Sequence, residues 1–153
     1  MSDTYDSTAD TIAHIKRVSD LLGEVESELE FRASVHDASK LQSPEKEVFD
    51  RVTPRLKELT YGSDEYKAQL SEMKVALDHH YAANSHHPEH YDNGIRGMSL
   101  LDVVEMLCDW KAATERHENG DIAKSIEINQ DRFGYSDDLK PIFHNTIKEM
   151  GWG

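Results

Sequence analysis

A chain of 153 residues with 37% apolar side chains has material for one core but not two, so a single domain is expected over residues 1–153, with residues 1–8 as a flexible polar tail. Seventeen Lys and Arg against thirty Asp and Glu leave a formal charge of −13, which repels a nucleic-acid backbone and argues against nucleic-acid binding. No stretch nears the roughly 18 to 20 consecutive apolar residues of a membrane span. The opening MSDTYDSTAD is polar and acidic where a secretory signal is basic and then apolar, so a cytoplasmic protein without a membrane partner is expected.

Every element reads as helix. Ile15, Val18, Leu22 and Val25 recur at helical spacing from Asp10 onward, with His14 on the same stripe and therefore expected to face inward. A second helix carries Leu29, Ala33 and His36 and ends near Lys40; Ser43-Pro44 then offers an N-cap and first-turn proline for a third, which runs to about Thr60. Tyr61-Gly62-Ser63 is a stop followed by a new cap, after which Tyr66, Leu70, Met73 and Leu77 lead a long helix toward His79 and His80. Pro88, Asn93-Gly94 and Gly97 mark residues 84–97 as a loop, and a loop of about a dozen residues in a small domain is often functional. Ser99 with Asp102 three residues on resembles a capping box for the most apolar helix, residues 100 to about 118. The single cysteine, Cys108, lies in that stretch and reads as a buried thiol. Helices over about 121–132 and 137–150 complete an all-α bundle of six or seven helices, with Pro141 in the first turn of the last or bending it.

Nine histidines are the anomaly of the composition, and five of them fall in HHYAANSHHPEHY. So many imidazoles cannot all be buried cheaply, because each needs partners for two ring nitrogens. His80 at the helix end and His87 or His90 in the loop are the candidates to donate a proton, hold a phosphate or complete a second metal site. The adjacent pair His36-Asp37 offers imidazole and carboxylate to a divalent ion, which both can reach only where their helix ends. Lys40 is placed to meet a substrate phosphate or a carboxylate near the metal, and Glu45 to orient the attacking water. Lys111 and Arg132 are further cations for a polyphosphate, or equally surface charges and ion-pair partners.

The segments IAHIKRV, VHDASKL and MLCDWKAA resemble, in order, the metal-binding motifs of HD-domain phosphohydrolases. That resemblance implies an HD-like helical bundle in which His14, His36, Asp37 and Asp109 hold the ion. The family often has alanine before the last aspartate, where this chain has Cys108. Asp102, on nearly the same helix face, is the rival; Asp109 is preferred because Asp102 already has a role as the N3 carboxylate of its helix. HDASKL, HHYAANSHHPEHY and LDVVEMLCDWKAATERH are also similar, over nearly the whole chain, to a small uncharacterised family found in phages and bacteria, and a phage-encoded member would work in the host cytoplasm.

The HD resemblance implies a phosphohydrolase with one or two divalent ions, drawn from Mn, Mg, Co, Ni, Zn and Fe, acting on a nucleotide, with deoxynucleotide mono- or triphosphates first. Two other readings stay open. Surplus histidines also suit an HD-fold di-iron oxygenase, and the acidic surface suits a catalytically inactive binding or inhibitor protein. A homodimer is left open by the sequence.

Overall fold

The computed structural model describes residues 4–59 and 63–153; among these the chain is all-α, with six α-helices, three short 3₁₀ turns and no strand. Internal contacts divide it into two units, Met1–His36 and Asp37–Gly153. No helix among the described residues is long and apolar enough to cross a membrane.

The first unit is built on one helix, α1 (Thr8–Val35). The two helices expected here are continuous, because their intended joint, Glu26-Ser27-Glu28, has neither proline nor glycine. Ion pairs one turn apart, Lys16 to Asp20 at 2.9 Å and Arg32 to Glu28 at 3.1 Å, favour continuation. None of its residues is buried, and Ile15 and Leu22 are 62% and 63% exposed. His14 is therefore exposed, not inward-facing as its stripe suggested. The helix ends at its C-cap, His36, whose ψ of 127° leaves the helical region.

Asp37 opens the second unit with a φ of 55°, the only positive φ among the described non-glycine residues. A side chain in this left-handed region is held there against a steric cost of about 1–2 kcal/mol. A 3₁₀ turn, Ala38–Leu41, leads to α2 (Glu45–Glu58), which packs on α3 (Asp64–Ala83) around the fully buried Val52 and Ala76. The N-cap of α2 is Pro44 where Ser43 was expected, and the helix continues through Pro54. The Tyr61-Gly62 stop lies outside the described residues; Ser63 caps α3 by accepting a hydrogen bond from the Tyr66 N–H at 3.1 Å.

After α3 comes the expected loop, with 3₁₀ turns at Pro88–His90 and Gly94–Gly97. Glycine is needed at 97, since a Cβ there would lie 2.7 Å from that of Tyr91. The capping box at α4 (Leu100–Thr114) forms as read: Ser99 N–H donates to Asp102 at 2.8 Å, and Asp102 N–H donates to the Ser99 hydroxyl at 3.1 Å. Asp121 caps α5 (Ile122–Phe133), Gly134 ends it with a φ of 65°, and Pro141 falls in the first turn of α6 (Leu139–Glu149), where a missing N–H costs nothing. The apolar core joins these three helices through Met106, Leu107, Ile122, Ile126, Phe143 and Ile147, with the intervening Tyr135. Tyr135 and Trp110 each meet Phe143 edge-on, at 5.3 and 5.7 Å between ring centres. Cys108 is exposed, not buried, because α4 turns Met106 and Leu107 to the core instead.

Candidate metal centre

Within the second unit, three stretches of chain bring potential ligands to Asp37. The C-terminal part of α3 carries His80, the loop behind it carries His86 and His87, and α4 carries Asp109. Asp37 Oδ1 lies 3.3 Å from His80 Nε2 and 3.4 Å from His86 Nε2, and the Nε2 atoms of His80 and His87 are 2.9 Å apart. One donor atom from each of Asp37, His80, His86 and His87 falls within 4.8 Å of all the others. Four donors around an ion at about 2.1 Å stand about 3.4 Å apart at the corners of a tetrahedron. The two Asp37 separations have that length already. Asp109 stands at the rim, its Oδ2 4.0 Å from His86 Nε2.

Asp37, His80 and His86 are oriented from behind. His80 Nδ1 lies 3.0 Å from Glu45 Oε2, and Ser39 and Asn84 border the same nitrogen at 3.3 and 3.1 Å. His86 Nδ1 lies 3.1 Å from Glu105 Oε1. Lys40 donates to Asp37 Oδ2 at 2.7 Å, which leaves Oδ1 turned to the imidazoles. Burial alone would raise the Asp37 carboxyl, but hydrogen bonds with His80, His86 and Lys40 outweigh it and hold the group well below the usual carboxylate range. His87 is pushed down to about 3, first by burial and then by the neighbouring His86 and His80, with Asp109 and Asp37 opposing. At neutral pH it is an uncharged imidazole, the form that ligates metal.

Tyr81, His87 and Asp109, together with Trp110, Asn129 and Arg132, line a cleft of about 590 Å³. That is within the usual size for a small-molecule site. Its lining joins aromatic rings to amide and cationic groups, with His117 on the same wall.

The residues singled out from the sequence divide accordingly. Asp37, His80 and His87 come together, with Asp109 beside them. His14 and His36 belong to α1 and its cap, and at 1.5 Å rise per residue an unbroken helix holds them about 33 Å apart. One chain cannot bring both to one ion, so His14 and His36 do not share one as the HD order implies. Lys40 reaches the carboxylate of its two expected partners. Glu45 is fully buried behind His79 and His80, at 2.7 and 3.0 Å from their Nδ1 atoms, and does not reach an attacking water as expected. Burial pushes its carboxyl up, yet hydrogen bonds from His79, Ser39 and His80 prevail and keep it below its ordinary value. His90 is exposed, its Nδ1 2.8 Å from the Tyr81 carbonyl, outside the ligand group. Lys111 pairs with Glu115 at 3.2 Å; Arg132 pairs with Glu89 at 2.8 Å and lies over the Phe133 ring. Asp102 is buried as a cap and loop anchor, accepting from Ser85 at 2.7 Å and from the Tyr91 hydroxyl at 2.8 Å.

Sequence reasoning missed His86 and Glu105. The signal for Glu105 was present: Asp102, Glu105 and Asp109 stand three and four residues apart, an acidic stripe along one face of an otherwise apolar helix. That stripe faces the histidine loop, meeting Ser85 and Tyr91 through Asp102 and His86 through Glu105 and Asp109.

Helices and cluster together define an all-α protein with a histidine and carboxylate group able to hold a metal ion. Residues 3–150 match the family of unknown function DUF5662, and the chain belongs to that family. No curated protein and no solved structure matches it.

Proposed function

We propose that this protein is a metal-dependent phosphohydrolase acting on a nucleotide, with deoxynucleotide mono- or triphosphates the first substrates to test. The observation that carries the reading is the approach of the His80 and His86 Nε2 atoms to Asp37 Oδ1, with His87 in the same donor group, beside an open cleft. Asp37, His80, His86 and His87 would hold the ion, with Asp109 next to it. A divalent ion there supplies Lewis acidity to a phosphoryl oxygen and lowers the pKa of water.

The chain's own groups supply the rest. Lys40 fixes Asp37 through Oδ2, while Asp109, at the cleft wall, is placed to accept the proton of the attacking water. As the new bond from water oxygen to phosphorus forms, the ester or anhydride bond breaks, and His117 on the same wall is available to protonate the leaving oxygen. Trp110 and the amide of Asn129 suit a flat heterocycle, and Arg132 suits its phosphates.

The test is metal content of the purified protein by mass spectrometry, followed by phosphate and nucleoside release from a panel of ribo- and deoxynucleotides. Release that disappears in Asp37→Ala and His86→Ala is the expected result. Turnover of no nucleotide by the metal-loaded protein would overturn the hydrolase reading. Two irons per chain with oxygen uptake would replace it by the oxygenase, for which an imidazole-rich site is equally suited.

A further inference from the structure

Two carboxylates stand behind two of the ligands in the same relation. Glu45, wholly buried, meets Nδ1 of His80, and Glu105, largely buried, meets Nδ1 of His86. The opposite nitrogens of the same rings both face Asp37 Oδ1, at 3.3 and 3.4 Å. These arrangements come from different elements, α2 acting on α3 and α4 acting on the loop, yet they aim at one point. A ring that gives its Nε2 lone pair to an ion keeps its proton on Nδ1, and a carboxylate, which accepts hydrogen bonds and donates none, holds that proton there. Asn84 Nδ2, 3.1 Å from His80 Nδ1, does not disturb this, because it also donates to Ser39 Oγ and to the His80 carbonyl, both at 2.8 Å.

We propose that Glu45 and Glu105 are positioning residues that fix His80 and His86 as Nε2 ligands, and that the resulting centre of three imidazoles and one carboxylate takes a borderline first-row ion, such as zinc, cobalt(II), nickel(II) or iron(II), in preference to magnesium or calcium. Hard ions favour oxygen ligands and keep their water, whereas imidazole nitrogen suits the borderline ions. The carboxylates also raise the basicity of the rings they hold. This inference rests on the metal centre of the reading above but not on phosphate chemistry.

The two glutamates differ in a way that makes the idea testable. In Glu105→Gln the amide oxygen can still accept the hydrogen bond from His86 Nδ1. Glu45 uses both oxygens, one on His79 and one on His80, so Glu45→Gln must present an N–H to one of the two rings. Metal-stripped full-length protein would be titrated with cobalt(II), followed by its visible absorption, with magnesium and calcium as competitors and the melting temperature of the metal-free form recorded for each variant.

Glu105→Ala and Glu45→Gln are each expected to weaken cobalt binding about 10- to 100-fold, the range for loss of a ligand-orienting carboxylate. Glu105→Gln should fall between Glu105→Ala and the wild type, and magnesium in excess should not displace cobalt. A merely structural glutamate would lower the metal-free melting temperature and leave the affinity and spectrum of the folded protein alone. That outcome would overturn the positioning role while leaving the metal centre intact. Should Glu45→Gln fail to fold, the Glu105 pair decides the question. Displacement of cobalt by equimolar magnesium would overturn the ion class, and a wild type that binds neither cobalt nor zinc would sink both the inference and the metal centre beneath it.

Discussion

The apolar cluster of α4, α5 and α6 and the polar cluster around Asp37 lie in the same unit, and each contains side chains wholly excluded from water, but for opposite reasons. Ile126 and Phe143 are almost wholly excluded from water, and burial of such a side chain contributes about 1.5–3 kcal/mol each. Glu45, His80, His86 and Asp102 are excluded just as completely, and a buried polar group without a partner costs about 1–3 kcal/mol. Each of them is matched by another polar group: Glu45 by two histidines, His86 by Glu105, Asp102 by Ser85 and Tyr91. Such matching offsets desolvation but adds little stability, since well-packed apolar residues would do as well or better. Stability therefore does not account for the buried volume given to histidines and carboxylates; the α4–α6 core supplies the stability they do not.

The comparison breaks most visibly in the core. Phe143→Ala should destabilise the protein by about 3–5 kcal/mol in chemical denaturation. It should leave the metal affinity of the folded fraction near wild type; a loss of affinity as large as that from His86→Ala would mean the two clusters are not separable. Next in size is the ion itself, since saturation at about 100 times its Kd should stabilise the wild type by about 2.7 kcal/mol. Asp37→Asn should abolish that increment while keeping metal-free stability, because asparagine tolerates the left-handed backbone at a φ of 55°. A metal-dependent rise in Tm that survives this substitution would place the ion elsewhere.

Asp102→Ala removes the carboxylate half of the capping box, which accepts from the Ser99 N–H, together with two loop anchors, and about 1–2 kcal/mol of stability should go with them. Unlike Asp109→Ala, it should act on metal binding only through loop order, which hydrogen exchange at residues 84–91 would register. The smallest effect is expected at Lys111, paired with Glu115 near the surface: Lys111→Ala should change stability by less than about 0.5 kcal/mol. A large loss of turnover there, with stability unchanged, would restore it to the substrate site.

What could be read from the chain is what depends on neighbours a few residues away. The caps at Ser63 and Ser99 and the glycine-containing loop before α4 are local devices, and each appears at its expected place. Asp37, His80, His87 and Asp109 were legible as candidates because imidazole and carboxylate are the side chains a divalent ion needs. Their grouping was not legible. Periodicity could not tell that Glu26-Ser27-Glu28 continues a helix instead of joining two, and that continuity is what separates His14 from His36. Nor could it choose an inward face for α4, whose apolar run placed Cys108 in the core on paper and at the surface in fact. Helix formation and capping are settled by hydrogen bonds within a turn or two, so the amino-acid sequence alone determined an all-α chain rich in potential ligands. Which ligands meet depends on contacts such as Glu45 with His80, 35 residues apart, and Glu105 with His86, and only the tertiary packing of α2, α3, α4 and the histidine loop decided those.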